Sequence, residues 1–139
     1  MTPAMGIKAI LEVATPTILS TTWPAKVGRV PKAPDQVVVL MDSGGRPPEV
    51  GVGIDYPNVQ VIVRGSKDSG GYLESYNKAL DIKNELLAIP SAPTAWPELT
   101  SCVCRGDITA MGYDENDRPL WSLNLALITT PTLTNSHRE

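Results

Sequence analysis

At 139 residues the chain has the size of one domain, with room for a sheet and the helices packed on it. It is 42% hydrophobic and 19% charged, which excludes wholesale disorder, and its net charge of −3 excludes a basic nucleic-acid footprint over the whole chain. With three Trp, four Tyr and no Phe, the core has to rest on Val, Ile, Leu and Ala.

Thirteen prolines fall mostly between the hydrophobic runs, a pattern of long, stiffened connections. No apolar run approaches the ~20 residues that span a bilayer, so no membrane partner is expected. Met1–Gly6 lacks the basic and apolar regions of a signal peptide, and two cysteines fit a reduced history. The protein is expected to be made in the cytoplasm.

In chain order, Thr2 and Pro3 make a cap and first position for a short amphipathic helix carrying Met5, Ile10, Leu11 and Val13. Thr15-Pro16 breaks or kinks it. Residues 18–23 fit a helical extension or a short extended segment, and residues 24–35 read as loop. The first strand spans about Gln36 to Asp42, and its unbroken run Val37–Met41 predicts cover on both faces. Ser43 to Pro57, with Gly44, Gly45, Gly51 and Gly53, reads as a long loop of the kind that is often functional. A second strand, about Asn58 to Arg64, sets Val59, Val61 and Val63 on one face and Gln60, Ile62 and Arg64 on the other.

After a polar turn with capping candidates Asp68 and Ser69, the strongest helix runs from about Tyr72 to Ile89 and ends at Pro90. Its predicted stripe is Leu73, Tyr76, Ala79, Leu80, Lys83, Leu86 and Leu87, with Glu74 and Lys78 as an i,i+4 pair. Thr100–Tyr113 and Leu120–Thr130 then form an antiparallel pair joined by the turn formers Asp114–Asp117. In the last strand Trp121, Leu123, Leu125 and Leu127 share one face. The more polar face, with Ser122, Asn124 and Ala126, meets solvent or another subunit. The expected fold is one α+β domain over residues 1–130: a mainly antiparallel (mixed) sheet of about four strands with two helices packed on it, in the order α-β-β-α-β-β. Residues 131–139 are a flexible polar tail.

The residues give little chemistry. Cys102 and Cys104 point the same way on a strand, but a structural zinc needs about four ligands and the one histidine, His137, lies in the tail. Two sheet-lining thiols are the better reading. Asp42, Glu49 and Asp55 imitate a metal-dependent nuclease cluster, yet no acid-x-lysine pair follows, so a nuclease stays a minor alternative. Ser43-Gly44-Gly45-Arg46 lacks the lysine and Ser/Thr of a phosphate loop. Trp23, Trp96 and Trp121 are spaced for packing. Arg64, at the end of an apolar strand, requires a carboxylate, a carbonyl or a partner chain. No cofactor, metal or catalytic residue is expected.

Val27-Gly28-Arg29-Val30-Pro31, the strand Val37–Asp42, the segment Ser43-Gly44-Gly45-Arg46-Pro47-Pro48, the strand Asn58–Gly65 and a helix from about Tyr72 together resemble the bacteriophage minor capsid proteins regarded as tail terminators of long-tailed phages. The similarity covers about residues 5–130 and is densest from Gly28 to Leu87. It implies a structural virion protein that assembles as a hexameric ring, caps the tail tube, stops its polymerisation and joins it to the head-side connector or stopper. The implied partners are other copies, the tail tube protein and that connector, with DNA passing through the lumen without sequence recognition. Another neck role, head completion or stopper, is the nearest alternative. The residues backed for subunit or partner contact are Arg46, Glu49, Asp55 and Arg64, with Arg46 and Glu49 of opposite charge and able to pair across subunits.

Overall fold

The computed structural model describes residues 2–14, 17–49, 53–87 and 95–130, with the backbone alone for Pro48 and Glu49. Two helices and six strands follow one another as α1 (Pro3–Glu12), β1 (Ala25–Val27), β2 (Val37–Glu49), β3 (Ile54–Arg64), α2 (Gly71–Leu87), β4 (Leu99–Cys104), β5 (Thr109–Tyr113) and β6 (Pro119–Thr129). The α+β class and the mixed, mostly antiparallel sheet are as expected, but the order is α-β-β-β-α-β-β-β, with two strands more. Strands run β1-β2-β3-β6-β4 across the sheet, and β5 pairs with β6 on the flank that β4 also uses. Only β1 is parallel to its neighbour. The expectations at Thr15-Pro16, Pro90 and residues 131–139 lie outside the described residues.

The extra strands have local causes. β1 has three residues between Pro24 and Gly28, too few to show a period, and it sets Lys26 beside Val39. The expected strand 100–113 is divided at Arg105–Ile108, where Gly106 takes a φ of 127° and Asp107 accepts hydrogen bonds from Lys83 Nζ and Ile108 N. Thr2 caps α1 as predicted, accepting from Met5 N at 3.3 Å, and Asp42 of β2 adds a second acceptor for Ala4 N at 2.8 Å.

Both helices lie on one face of the sheet. Val38 and Leu40, the odd-numbered valines 59–63 of β3, and Trp121, Leu123, Leu125 and Leu127 of β6 pack there against Ala4, Ile7 and Leu11 of α1 and Ala79, Ile82 and Leu86 of α2. The α2 stripe is rotated from the predicted one. Leu73 is 63% exposed while Ser75 is fully buried, because the Ser75 hydroxyl donates to Gly71 O at 2.6 Å and accepts from Trp121 Nε1 at 2.9 Å. The predicted Glu74–Lys78 pair does not form. Glu74 accepts from Gln36 Nε2, and Lys78 Nζ donates to Ile18 O and lies over the Trp23 ring.

The opposite face is covered at one end only. Val37, Val39 and Ile62 are buried there, giving β2 the cover on both faces that its sequence predicts. Arg64 shares the side of Ile62 and is 2% exposed. Its Nε, Nη1 and Nη2 donate to Asp35 O at 2.9 Å, Pro31 O at 2.6 Å and Pro34 O at 2.6 Å. Arg118, 4% exposed, donates to Lys32 O at 2.6 Å, to Asp35 Oδ1 at 3.1 Å and to Asp114 Oδ2 at 2.8 Å. The two guanidiniums thus fix the returning β1–β2 connection over this end of the sheet.

Burial, and then the charge of Arg118, lowers the Arg64 pKa from its usual value, with Asp114 and Asp35 opposing. Replacing Arg64 by Met leaves three carbonyls without donors and is expected to cost about 3 kcal/mol in urea unfolding. Burial pushes the Asp114 carboxyl up, but the backbone N–H groups of Arg118 and Asn116 and the Arg118 guanidinium outweigh it and hold the group below 3.8. The stability it contributes is therefore present above that value and is lost as pH falls through the lower folded one. Asp114→Asn should lower the urea midpoint at pH 7, and its gap to wild type should narrow as pH falls below 3.8.

Candidate functional site

Where the sequence suggests a long loop from Ser43 to Pro57, β2 and β3 continue as a paired ribbon. Arg46 faces Tyr56 and Glu49 faces Ile54, with register shifts between Asp42 and Gly45 and between Arg46 and Glu49. Glycine and proline read as breakers, but the ribbon accommodates both. Beyond Leu40, β2 has no second neighbour among the described residues, so Pro47 and Pro48 forfeit no ladder bond on that edge. Gly44 and Gly45 take φ values of 85° and 126° at the first bulge. A Cβ on Gly45 would overlap the Tyr56 carbonyl oxygen and stand 2.9 Å from Pro57 Cα.

The ribbon remains part of the sheet as far as Asp55, which is the partner of Thr129 in β6. Side chains of the helix-free face here enclose a cleft of about 420 Å³. Arg46 and Tyr56 form one wall, Ser101 and Val103 of β4 with Arg105 just past its end the other, and Asn58, Ala126 and Ile128 line the space between. The Arg46 guanidinium lies 4.0 Å above the Tyr56 ring centre, a cation–π contact that holds it at the rim. Across from it, Arg105 Nη1 faces the Asn58 amide, whose oxygen accepts at 2.7 Å when the amide is assigned by its hydrogen bonds. Val103 is 52% exposed. Among the described residues no carboxylate is paired with either arginine.

The four residues singled out from sequence do not gather. Arg46 lines the cleft, Glu49 ends β2 one row beyond it, and half-buried Asp55 stands beside Thr129. Arg64 lies eight residues along β3 from Tyr56, roughly 26 Å away at the strand rise, with its donors on the Pro31–Asp35 carbonyls. Arg105, just past β4, and Asn58 of β3 come from separate segments and carry no motif. Of the acids of the nuclease alternative, Asp42 serves structure, capping α1. Among the described residues no group of three or more His, Cys, Asp or Glu side chains is placed to hold a metal ion. Cys102 and Cys104 are free thiols packed against the core. Burial, then Cys104, pushes the Cys102 thiol up to about 12. Burial raises Cys104 as well, so neither is a ready thiolate at neutral pH.

An acid-poor, thiol-protonated site with an open sheet face fits a protein that binds other chains. A family model for bacteriophage tail terminator proteins matches residues 12–131. The chain belongs to that family. No curated protein matches it in sequence. Tail terminators are structural, non-enzymatic components of the virion tail that cap the tail tube, and the tube is the partner of this one.

In this tail terminator the bulge glycines set the ribbon's register. Gly44→Ala meets open space and is expected to cost about 1 kcal/mol for its positive φ. Gly45→Ala adds the overlap with Tyr56 and should cost roughly 2–3 kcal/mol, the two being compared by urea unfolding.

Proposed function

We propose that this tail terminator acts as a closed ring of six copies on the head-side end of the tail tube, where it stops tube growth and offers a surface to the connector or stopper. The observation that carries this reading is the one-sided sheet. Both helices cover one face, and the other is left with an exposed Val103, an exposed Asn124 and a cleft with two arginines. A sheet face of that kind is a surface for another chain. A ring of like subunits also needs two different, complementary surfaces on each copy, which a one-sided sheet provides. DNA passes through the lumen unread, and a net charge of −3 suits a channel that must release phosphate.

Within the ring, Arg46, Glu49 and Asp55 belong to the contact edge at the end of the β2–β3 ribbon. Arg64 contributes through the Pro31–Asp35 segment that it fixes. Native mass measurement of the protein released intact from tail tubes is expected to give six copies, and single copies on the tube would overturn the ring. Arg46→Glu and Glu49→Arg should each lower tube occupancy about tenfold, the scale of one lost charge pair repeated around an interface. Unchanged occupancy in both variants would remove these residues from the contact.

A further inference from the structure

The cleft on the helix-free face and the solvent face of α2 lie on opposite sides of the subunit and carry opposite charge. The cleft rim has Arg46 and Arg105 over a floor of Val103, Ala126 and Ile128. One outward flank of α2 carries Asp81, exposed, and Glu85, half-buried, one turn apart. Like charges at i and i+4 repel and weaken a helix unless a cation lies between or over them. The two nearby lysines do not serve this purpose: Lys78 is spent on Ile18 O, and Lys83 on Asp107. Among the described residues Asp81 and Glu85 have no ion pair.

We infer that the cleft receives the acidic flank of α2 from a second copy, with Asp81 meeting Arg105 and Glu85 meeting Arg46. The occupant follows from charge. The arginines require carboxylates on a rigid element, and α2 presents two of them one turn apart. The contact is head-to-tail, so each copy uses both surfaces, and the series makes a ring where the rotation between copies closes. A second copy's helix laid on the sheet also repeats the helix-on-sheet layering inside the subunit. Passing DNA is the poorer occupant, because two arginines over an apolar floor form no basic stripe. The inference rests on the ring reading and deepens it by naming both halves of the contact.

The test uses full-length protein added to tail tubes, with ring occupancy read by native mass and fold checked by far-UV circular dichroism. Arg105→Glu and Asp81→Lys should each lower occupancy at least tenfold, and combining the two should restore it to within about threefold of wild type. A second measurement places cysteines at Ser101 and Asn84: oxidation on tubes should give a ladder of linked copies that wild type does not form. If wild type forms rings but Arg105→Glu leaves occupancy unchanged, the cleft is not a subunit contact and the inference fails while the ring stands; an arginine serving passing DNA gives this same outcome. Loss without restoration in the combined variant, or no ladder, overturns α2 as the occupant. Wild type remaining single on tubes overturns the ring itself.

Discussion

A parallel strand pair joined by a short connection creates a problem that Arg64 and Arg118 solve together. After β1 the chain must travel back along the sheet to begin β2 beside it, and it does so in the proline-punctuated segment between Gly28 and Gln36. Prolines at positions 31 and 34 have no N–H, so this segment has carbonyls in excess of backbone donors. The two guanidiniums supply the donors, taking the carbonyls of Pro31, Lys32, Pro34 and Asp35. Burying two cations side by side is costly, and Asp114 and Asp35 offset it with carboxylates at 2.8 and 3.1 Å from Arg118. A hydrogen-bonded charge is strong where a neutral group would be marginal, and this accounts for arginine at both places.

The consequence reaches the function through asymmetry. The fixed connection seals one end of the helix-free face over Val37, Val39 and Ile62. It leaves the other end, under the β2–β3 ribbon, as the arginine-rimmed cleft. One face of the sheet is therefore divided into a closed half that stabilises the subunit and an open half, the proposed seat of a neighbour. The bulge at Gly44 and Gly45 belongs to the open half, where it sets Arg46 across from Tyr56.

Much of this was readable from the residues, and what was not has identifiable causes. Val37–Met41 and the alternating Val59, Val61 and Val63 specify the central strands because burial imposes period and continuity. Thr2-Pro3 specifies the start of α1 through capping chemistry. The ribbon was hidden because glycine and proline are breakers in isolation, whereas a bulged edge strand admits both. The rotation of α2 was hidden because Ser75 reads as polar until its hydroxyl finds Gly71 O and Trp121. Arg64 was recognisable as a residue in need of partners, but not as one that finds them on a proline-rich loop. Arg105 and Arg118 had no signal, since their surroundings are assembled from segments far apart in the chain.

The claim that matters most is that the open half of the sheet face is where the next chain sits. High-resolution electron microscopy of isolated tails carrying this protein tests it directly. The account predicts density for a closed ring at one end of the tube, with Arg105 and Val103 of each copy covered by its neighbour. Subunits spread along the tube, or a ring in which that face lies open to solvent, would contradict it.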